Sequence, residues 1–202
     1  MLYLTAALSQ AKRERDAVPW VIVTIHKPLY CSDLDTPGGY ADKLEDTFVK
    51  FDVDLVVAGH LHVYERISPV YKTSVTCPPV AAAAPAGGPE DSIDAYFSEG
   101  KGPVYVVQGN AGAMQFDRWV MPQPAWSAFR MSNGLSPQVS SPASAASAAA
   151  ARLSSSRDHE YQYTDTYGFG VVGTSNSTHL LYKSIPITGT FTDTFWIVKH
   201  QK

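Results

Sequence analysis

Two histidine-bearing segments hold the residues best suited to chemistry in this sequence: VTIHKPLYCSD, residues 23–33, and VVAGHLHVYER, residues 56–66. In an extended segment, residues at i and i+2 point to the same side. His60 and His62 can therefore present two imidazoles together, with Gly59 letting the backbone turn tightly beside a metal. Imidazole nitrogens ligate divalent metal at about 2.0–2.1 Å. A His-x-His pair alone is a weak signal, since such pairs are commonly surface residues with no role. Here a third histidine, His26, occupies a matching place, and that context makes metal binding the better reading of His26, His60 and His62.

The matching place comes from the elements around them. VIVTI, residues 21–25, is short, β-branched and apolar on both faces, which predicts a central strand covered on both sides. DLVVA, residues 54–58, predicts a second strand, and residues 41–50 between them predict a helix with Leu44 and Phe48 on one face. Strand, helix, strand with short connections is a βαβ unit with parallel strands. Ligands of open α/β sheets bind outside the carboxyl ends of the strands. His26 and His60 sit one and two residues past those ends, so the fold is expected to bring them together.

The rest of the chain divides by composition. MLYLTAALSQAKRERD places Leu4, Ala7, Leu8 and Ala11 at helical spacing; no basic residue precedes its apolar stretch, so it reads as an amphipathic helix over 1–15 and not as a signal peptide. CPPVAAAAPAGGPE lacks periodicity and reads as a flexible insertion. GPVYVVQGNAG predicts a strand running into a glycine turn, without a phosphate-cradling pattern. The low-complexity stretch 136–156 offers no apolar stripe to bury and is expected to be disordered. The tail from Tyr167 alternates β-rich runs with Gly, Asn, Ser and Thr, which predicts two or three antiparallel strands closing the sheet.

With 202 residues the chain suits one domain or one and a half, and its formal charge of -3 offers no basic face for nucleic acid. No apolar run approaches the roughly 18 residues needed to span a membrane. Cys31 and Cys77 form no CxxC pattern; two cysteines alone do not establish a disulfide, although they could pair in a secreted protein. Asn176-Ser177-Thr178 is an N-glycosylation triplet that matters only in a secreted chain. Asp33 and Asp35 read as turn residues, Glu65-Arg66 as a structural pair, and His159 and His179 as non-ligating. Trp119, Trp126 and Phe129 read as packing residues.

VTIHKPLYCSD and VVAGHLHVYER resemble the last two of the five motifs of the purple acid phosphatases, a branch of the calcineurin-like metallophosphoesterases, whose pattern is V-x-x-H and then G-H-x-H. The lead-in to Pro19-Trp20, GPVYVVQGNAG, YGFGVVGTSNSTHLLYKS and the closing DTFWIV resemble further segments of that family, in the same order. The resemblance implies an α/β fold, the C-terminal half of a four-layer α/β/β/α metallophosphoesterase sandwich. Residues 1–76 would be the C-terminal half of the catalytic domain, 77–101 a flexible insertion, and 102–202 the C-terminal segment with its insertion at 136–156.

The resemblance further implies hydrolysis of phosphate monoesters at a binuclear centre of Fe(III) and a divalent metal (Zn, Mn or Fe). His62 would bind the ferric ion, and His26 and His60 the divalent one. It also implies a secreted or lysosome- or vacuole-like location. The family's first three motifs, an Asp segment, G-D-x-x-Y and G-N-H, do not occur in these 202 residues. No general acid can be assigned, because the loop after His26 holds Ser32, Asp33, Leu34 and Asp35 where the family often has histidine. The rival expectation is therefore an inactive truncated fragment, or a half-domain needing a partner segment. Exposed apolar edges of a half-sheet leave homo-oligomer formation open.

Overall fold

The computed structural model describes residues 2–36, 41–83, 92–97, 100–112, 118–131, 167–174, 176–187 and 193–200. Helix α1, Leu2–Arg13, carries the stripe expected of it: Leu8 is buried, Leu4 and Ala11 pack beside it, and Lys12 and Arg13 face the negative end of the helix dipole. Strand β1, Ile22–Ile25, leads to helix α2, Ala41–Lys50, which buries Phe48. Val53 N–H then bonds to Phe48 O at 3.0 Å and Asp52 N–H to Val49 O at 3.1 Å, with Asp52 left-handed at φ 53°. This Schellman-type stop, tolerated by the short Asp side chain, turns the chain into β2, Leu55–Ala58.

Further strands follow as β3 (Tyr64–Ile67), the small hairpin β4 (Val70–Tyr71) and β5 (Ser74–Val75), then β6 (Val80–Ala83) and β7 (Ser92–Phe97). The remaining strands are β8 (Val104–Gln108), β9 (Ser127–Met131), β10 (Gly168–Thr174), β11 (His179–Pro186) and β12 (Asp193–Val198). One sheet runs β1-β2-β8-β3-β9, with β1, β2 and β8 parallel and β3 antiparallel to both neighbours. The other runs β10-β11-β12-β7-β6.

Three layers result. Leu8, Phe48 and Phe51 from the helical side pack on Val56, Tyr105 and Val107 of the first sheet. The opposite face of that sheet, with Leu55, Tyr64, Val104 and Val106, packs on Tyr96, Leu180, Tyr182, Phe195 and Ile197 of the second. Two polar clasps pin the layers. Buried Asp54 accepts from Val21 N at 2.8 Å and pairs with Arg15 and with Lys199 at 3.1 Å, tying α1, β1, β2 and the segment after β12 together. Arg66 of β3 reaches across to Asp193 at 2.9 Å and Asp94 at 2.7 Å, and Tyr64 Oη donates to Asp193 at 2.7 Å.

The α/β architecture and the βαβ unit agree with the sequence reading, and three local expectations do not. Among the described residues VIVTI is an outer strand of its sheet, not a central one, and Ile22 remains 39% exposed. The tail strands β10, β11 and β12 build the second sheet and do not close the first. Within 77–101, β6 and β7 are strands; Ile93 and Ala95 face one side of β7 and Asp94 and Tyr96 the other, an alternation hidden by the surrounding Pro, Ala and Gly. The stretch 136–156 lies outside the described residues.

Candidate functional site

The parallel register of the first sheet levels three carboxyl ends. Ile25 pairs with Ala58, and Ala58 with Val107. Just beyond them lie His26 after β1, Gly59-His60 after β2, and Gly109-Asn110 after β8. Gly59 N–H donates to His26 O at 3.1 Å, which joins the first two ends directly.

His26 Nε2 and His60 Nδ1 are 3.0 Å apart, with the rings edge-on at 4.9 Å between centroids. His60 takes a left-handed backbone, φ 68°, a conformation uncommon for non-glycine residues and concentrated at functional sites. At that turn His60 faces His26, and His62, two residues on, is a half-buried side chain. Desolvation first, then the nearby His26, Lys27 and His62, lowers the pKa of His60 below the ordinary imidazole value. The shift favours the neutral imidazole, the form that binds metal.

The glycine that this loop demands is not Gly59. A Cβ on Gly59 would meet only His26 O, at 3.9 Å, an ordinary contact. A Cβ on Gly109 would lie 1.8 Å from Leu61 O and 2.8 Å from Leu61 C, inside the His60–His62 segment. Gly109 N–H also donates to Val63 O at 3.0 Å. The turn holding Gly109 is anchored on the second sheet: Gln108 Nε2 donates to Asn110 Oδ1 at 2.5 Å, Tyr182 Oη to Gln108 Oε1 at 2.8 Å, and Gly168 N–H to Asn110 O at 3.0 Å. Sequence reasoning read GNAG only as a turn. The available signal was its position, a glycine directly after an apolar strand, the same placement as Gly59.

Acidic side chains flanking the histidines have other work. Glu65, fully buried, accepts from Ser32 N at 2.7 Å, from Ser32 Oγ at 2.6 Å and from Ser127 Oγ. Asp33 caps an Asx turn through Asp35 N at 2.8 Å and accepts from Arg118 N at 2.8 Å, as expected of a turn residue. These bonds strap the loop after His26 to β3 and to residues 118–120. Glu65 and Arg66 face opposite sides of β3, both in buried structural networks. Cys31 and Cys77 are buried free thiols. His179 stands edge-on to Trp196 at 5.8 Å, in the second sheet, and His159 lies outside the described residues. Trp119 and Trp126 pack on the first core and Phe129 on the second. Among the described residues no group of three or more His, Cys, Asp or Glu is placed to hold a metal ion.

Known proteins resemble this chain in sequence and in fold. Residues 5–64 match the family model "Calcineurin-like phosphoesterase", and residues 102–136 match "Iron/zinc purple acid phosphatase-like protein C". The chain is 33% identical over 144 residues to acid phosphatase type 7 of Homo sapiens, covering 64% of this chain and 30% of that protein. It is 34% identical over 137 residues to a phosphoenolpyruvate phosphatase of Allium cepa, covering 65% and 26%. It is 33% identical over 129 residues to purple acid phosphatase 1 of Ipomoea batatas, covering 59% and 24%. The chain thus spans less than a third of the length of these relatives. Its fold matches a purple acid phosphatase from yellow lupin (Lupinus luteus) seeds with a TM-score of 0.66 at 19% identity, covering 98% of this chain and 28% of that one. Sequence motifs, family models and fold agree that the chain is purple-acid-phosphatase-like and resembles a portion of the calcineurin-like metallophosphoesterase architecture.

Proposed function

We propose that these 202 residues supply the histidine half of an acid-phosphatase-type centre for phosphate monoesters, in which His26 and His60 hold one divalent ion and His62 serves a second. The observation that carries this reading is the 3.0 Å separation of His26 Nε2 and His60 Nδ1 at the carboxyl edge of β1 and β2. Two donors each about 2.1 Å from one ion, at 90–110° to each other, stand roughly 3.0–3.4 Å apart. Neutral imidazole suits zinc, iron, nickel or copper. A metal held there supplies Lewis-acid polarisation of a phosphate ester and a lowered pKa for water.

The same donors do not fit the full Fe(III)–divalent pair. A trivalent ion requires anionic oxygen ligands, and the neighbouring carboxylates of Asp33 and Glu65 are committed to backbone and serine partners. This favours the second reading for the chain by itself: a half-site without turnover, completed by acidic ligands from another segment. No catalytic step is assigned to the binuclear centre on these residues.

The test is metal content and p-nitrophenyl phosphate hydrolysis in mildly acidic buffer. The expected result is about one divalent ion per chain, lost in His60→Ala, with no hydrolysis. Fusion to a segment carrying the Asp, G-D-x-x-Y and G-N-H motifs is expected to produce hydrolysis that His62→Ala abolishes. Failure of the wild-type chain to retain zinc, nickel or manganese above the level of His60→Ala would overturn the assignment.

A further inference from the structure

We propose that Gln108 is a positioning residue for the candidate metal site: with Tyr182 it sets, from the second sheet, where the His60–His62 segment stands. The proposal rests on the metal reading of His26 and His60 and concerns residues that hold no metal themselves. Gln108 ends β8 and pairs with Tyr64 in the ladder. Alternation along β8 puts Val104, Val106 and Gln108 on the face toward the second sheet. Val104 and Val106 are buried there, while the half-buried Gln108 brings a carboxamide to a face that packing alone would fill with an apolar side chain.

That carboxamide uses its two ends on two different elements. Its Oε1 accepts from Tyr182 Oη of β11 at 2.8 Å, and its Nε2 donates to Asn110 Oδ1 at 2.5 Å. Burial, then the nearby Asp193, raises the Tyr182 pKa above the ordinary phenol value, so the hydroxyl keeps its proton and donates. Tyr182 is itself fixed, buried and stacked on Phe195 at 5.1 Å between centroids. Gly170 of β10 makes the space for this meeting. A Cβ there would lie 2.2 Å from Tyr182 Oη and 3.2 Å from Gln108 Oε1.

From Asn110 the constraint passes to the histidines. Gly168 N–H holds Asn110 O at 3.0 Å. Gly109, between Gln108 and Asn110, donates to Val63 O at 3.0 Å and lies against the Leu61 carbonyl. Leu61 and Val63 flank His62, and Leu61 follows His60. Displacing Gln108 therefore moves the segment that carries both imidazoles. Removing a group bonded directly to a metal ligand changes affinity about 10–100-fold, and Gln108 acts through one further link, so a loss of about 3–10-fold is expected.

The experiment measures zinc affinity of the full chain by competition with a chromophoric chelator, and the backbone amide shifts of Leu61 and His62 in the metal-free chain. Gln108→Met keeps the length of the side chain and removes both bonds. Tyr182→Phe keeps the ring on Phe195 and removes one; as the milder change, it carries the test if Gln108→Met does not fold. Ile93→Val, on the outer face of the second sheet, controls for lost stability. We expect the first two variants to weaken zinc binding by about 3–10-fold and to move both amides, and Ile93→Val to do neither. In the Gln108→Met background Tyr182→Phe should add nothing, a coupling that separate effects on stability do not produce. Unchanged affinity and amide shifts in both variants, or additive effects in the double variant, overturn the proposal. A wild-type chain that binds no more zinc than His60→Ala refutes the metal reading instead, and the amide shifts, which need no metal, then test Gln108 by themselves.

Discussion

At the scale of single residues, Gly109 shows how a position with no functional atoms controls those that have them. Its φ is not in the left-handed region, so conformation does not require glycine; contact does, because a Cβ would enter the Leu61 carbonyl. The neighbouring turn cannot yield easily, as Gln108 and Asn110 are bonded to each other, to Tyr182 and to Gly168. We expect Gly109→Ala to cost roughly 1–3 kcal/mol, the range for overpacking a filled site. Part of that cost should appear as displacement of the His60–His62 segment. Urea unfolding measures the loss, and backbone amide shifts of Leu61, His62 and Val63 in nuclear magnetic resonance report the displacement. Gly173 provides the control: nothing lies within 4 Å of its Cβ position and its φ is ordinary, so Gly173→Ala should leave stability and those shifts unchanged. Equal behaviour of the two variants would remove Gly109 from its role.

At the scale of elements, Arg66 forms a charged cross-link between the two sheets. Arg66 extends from β3 between the rings of Tyr96 and Phe195, 5.7 and 5.2 Å from their centroids, and ends on Asp193 and Asp94. Its charge is favoured by Asp193, against the desolvation that opposes it, and its pKa is raised overall. Removing one partner of a buried pair costs more than the pair itself contributes, because the other charge stays desolvated. Asp193→Ala is therefore expected to destabilise the chain by about 3–5 kcal/mol, toward the lower end because Asp94 and Tyr96 remain on the guanidinium. Asp193→Asn should cost less. Thermal unfolding of both variants decides it, and a loss under 1 kcal/mol in Asp193→Ala would mean that this cross-link does not hold the sheets together.

These elements also mark where the sequence was legible. The βαβ unit could be read because its strands are short apolar runs and its helix keeps Leu44 and Phe48 in period, all signals local to a few residues. His26 and His60 could be placed together for the same reason. The edge position of β1 could not, since VIVTI looks the same whether one or two strands flank it. Nor could the Arg66 cross-link, whose partners lie 28 and 127 residues away. The left-handed backbone of His60 is a choice made at one residue, and nothing in GHLH announces it. Long-range pairing and single-residue backbone choices leave little trace in composition.

At the scale of the whole molecule, the weak point is the outer strands. β1 carries apolar side chains on both faces yet has a neighbour only in β2. β10 is one of the two outer strands of the second sheet among the described residues, with the sequence GFGVVGT, and Phe169, Val171 and Val172 are 51, 41 and 38% exposed. Natural edges are protected by lysine, proline, bulges or cover, because unpaired N–H and C=O groups recruit another strand. β10 has no charge and no proline, and its seven residues suffice for a regular antiparallel ladder with a copy of itself. The chain is accordingly expected to self-associate at micromolar concentration. Val171→Lys puts a charge on the exposed face of β10, opposite Lys183 in the β11 register, so it opposes strand addition without entering the core. Size-exclusion chromatography with light scattering should show the wild type shifting toward larger species with concentration, and Val171→Lys remaining monomeric over the same range. If both associate equally, β10 is not the contact; β1, another outer strand among the described residues, lies beside His26, where a pairing strand would also cover the candidate metal site.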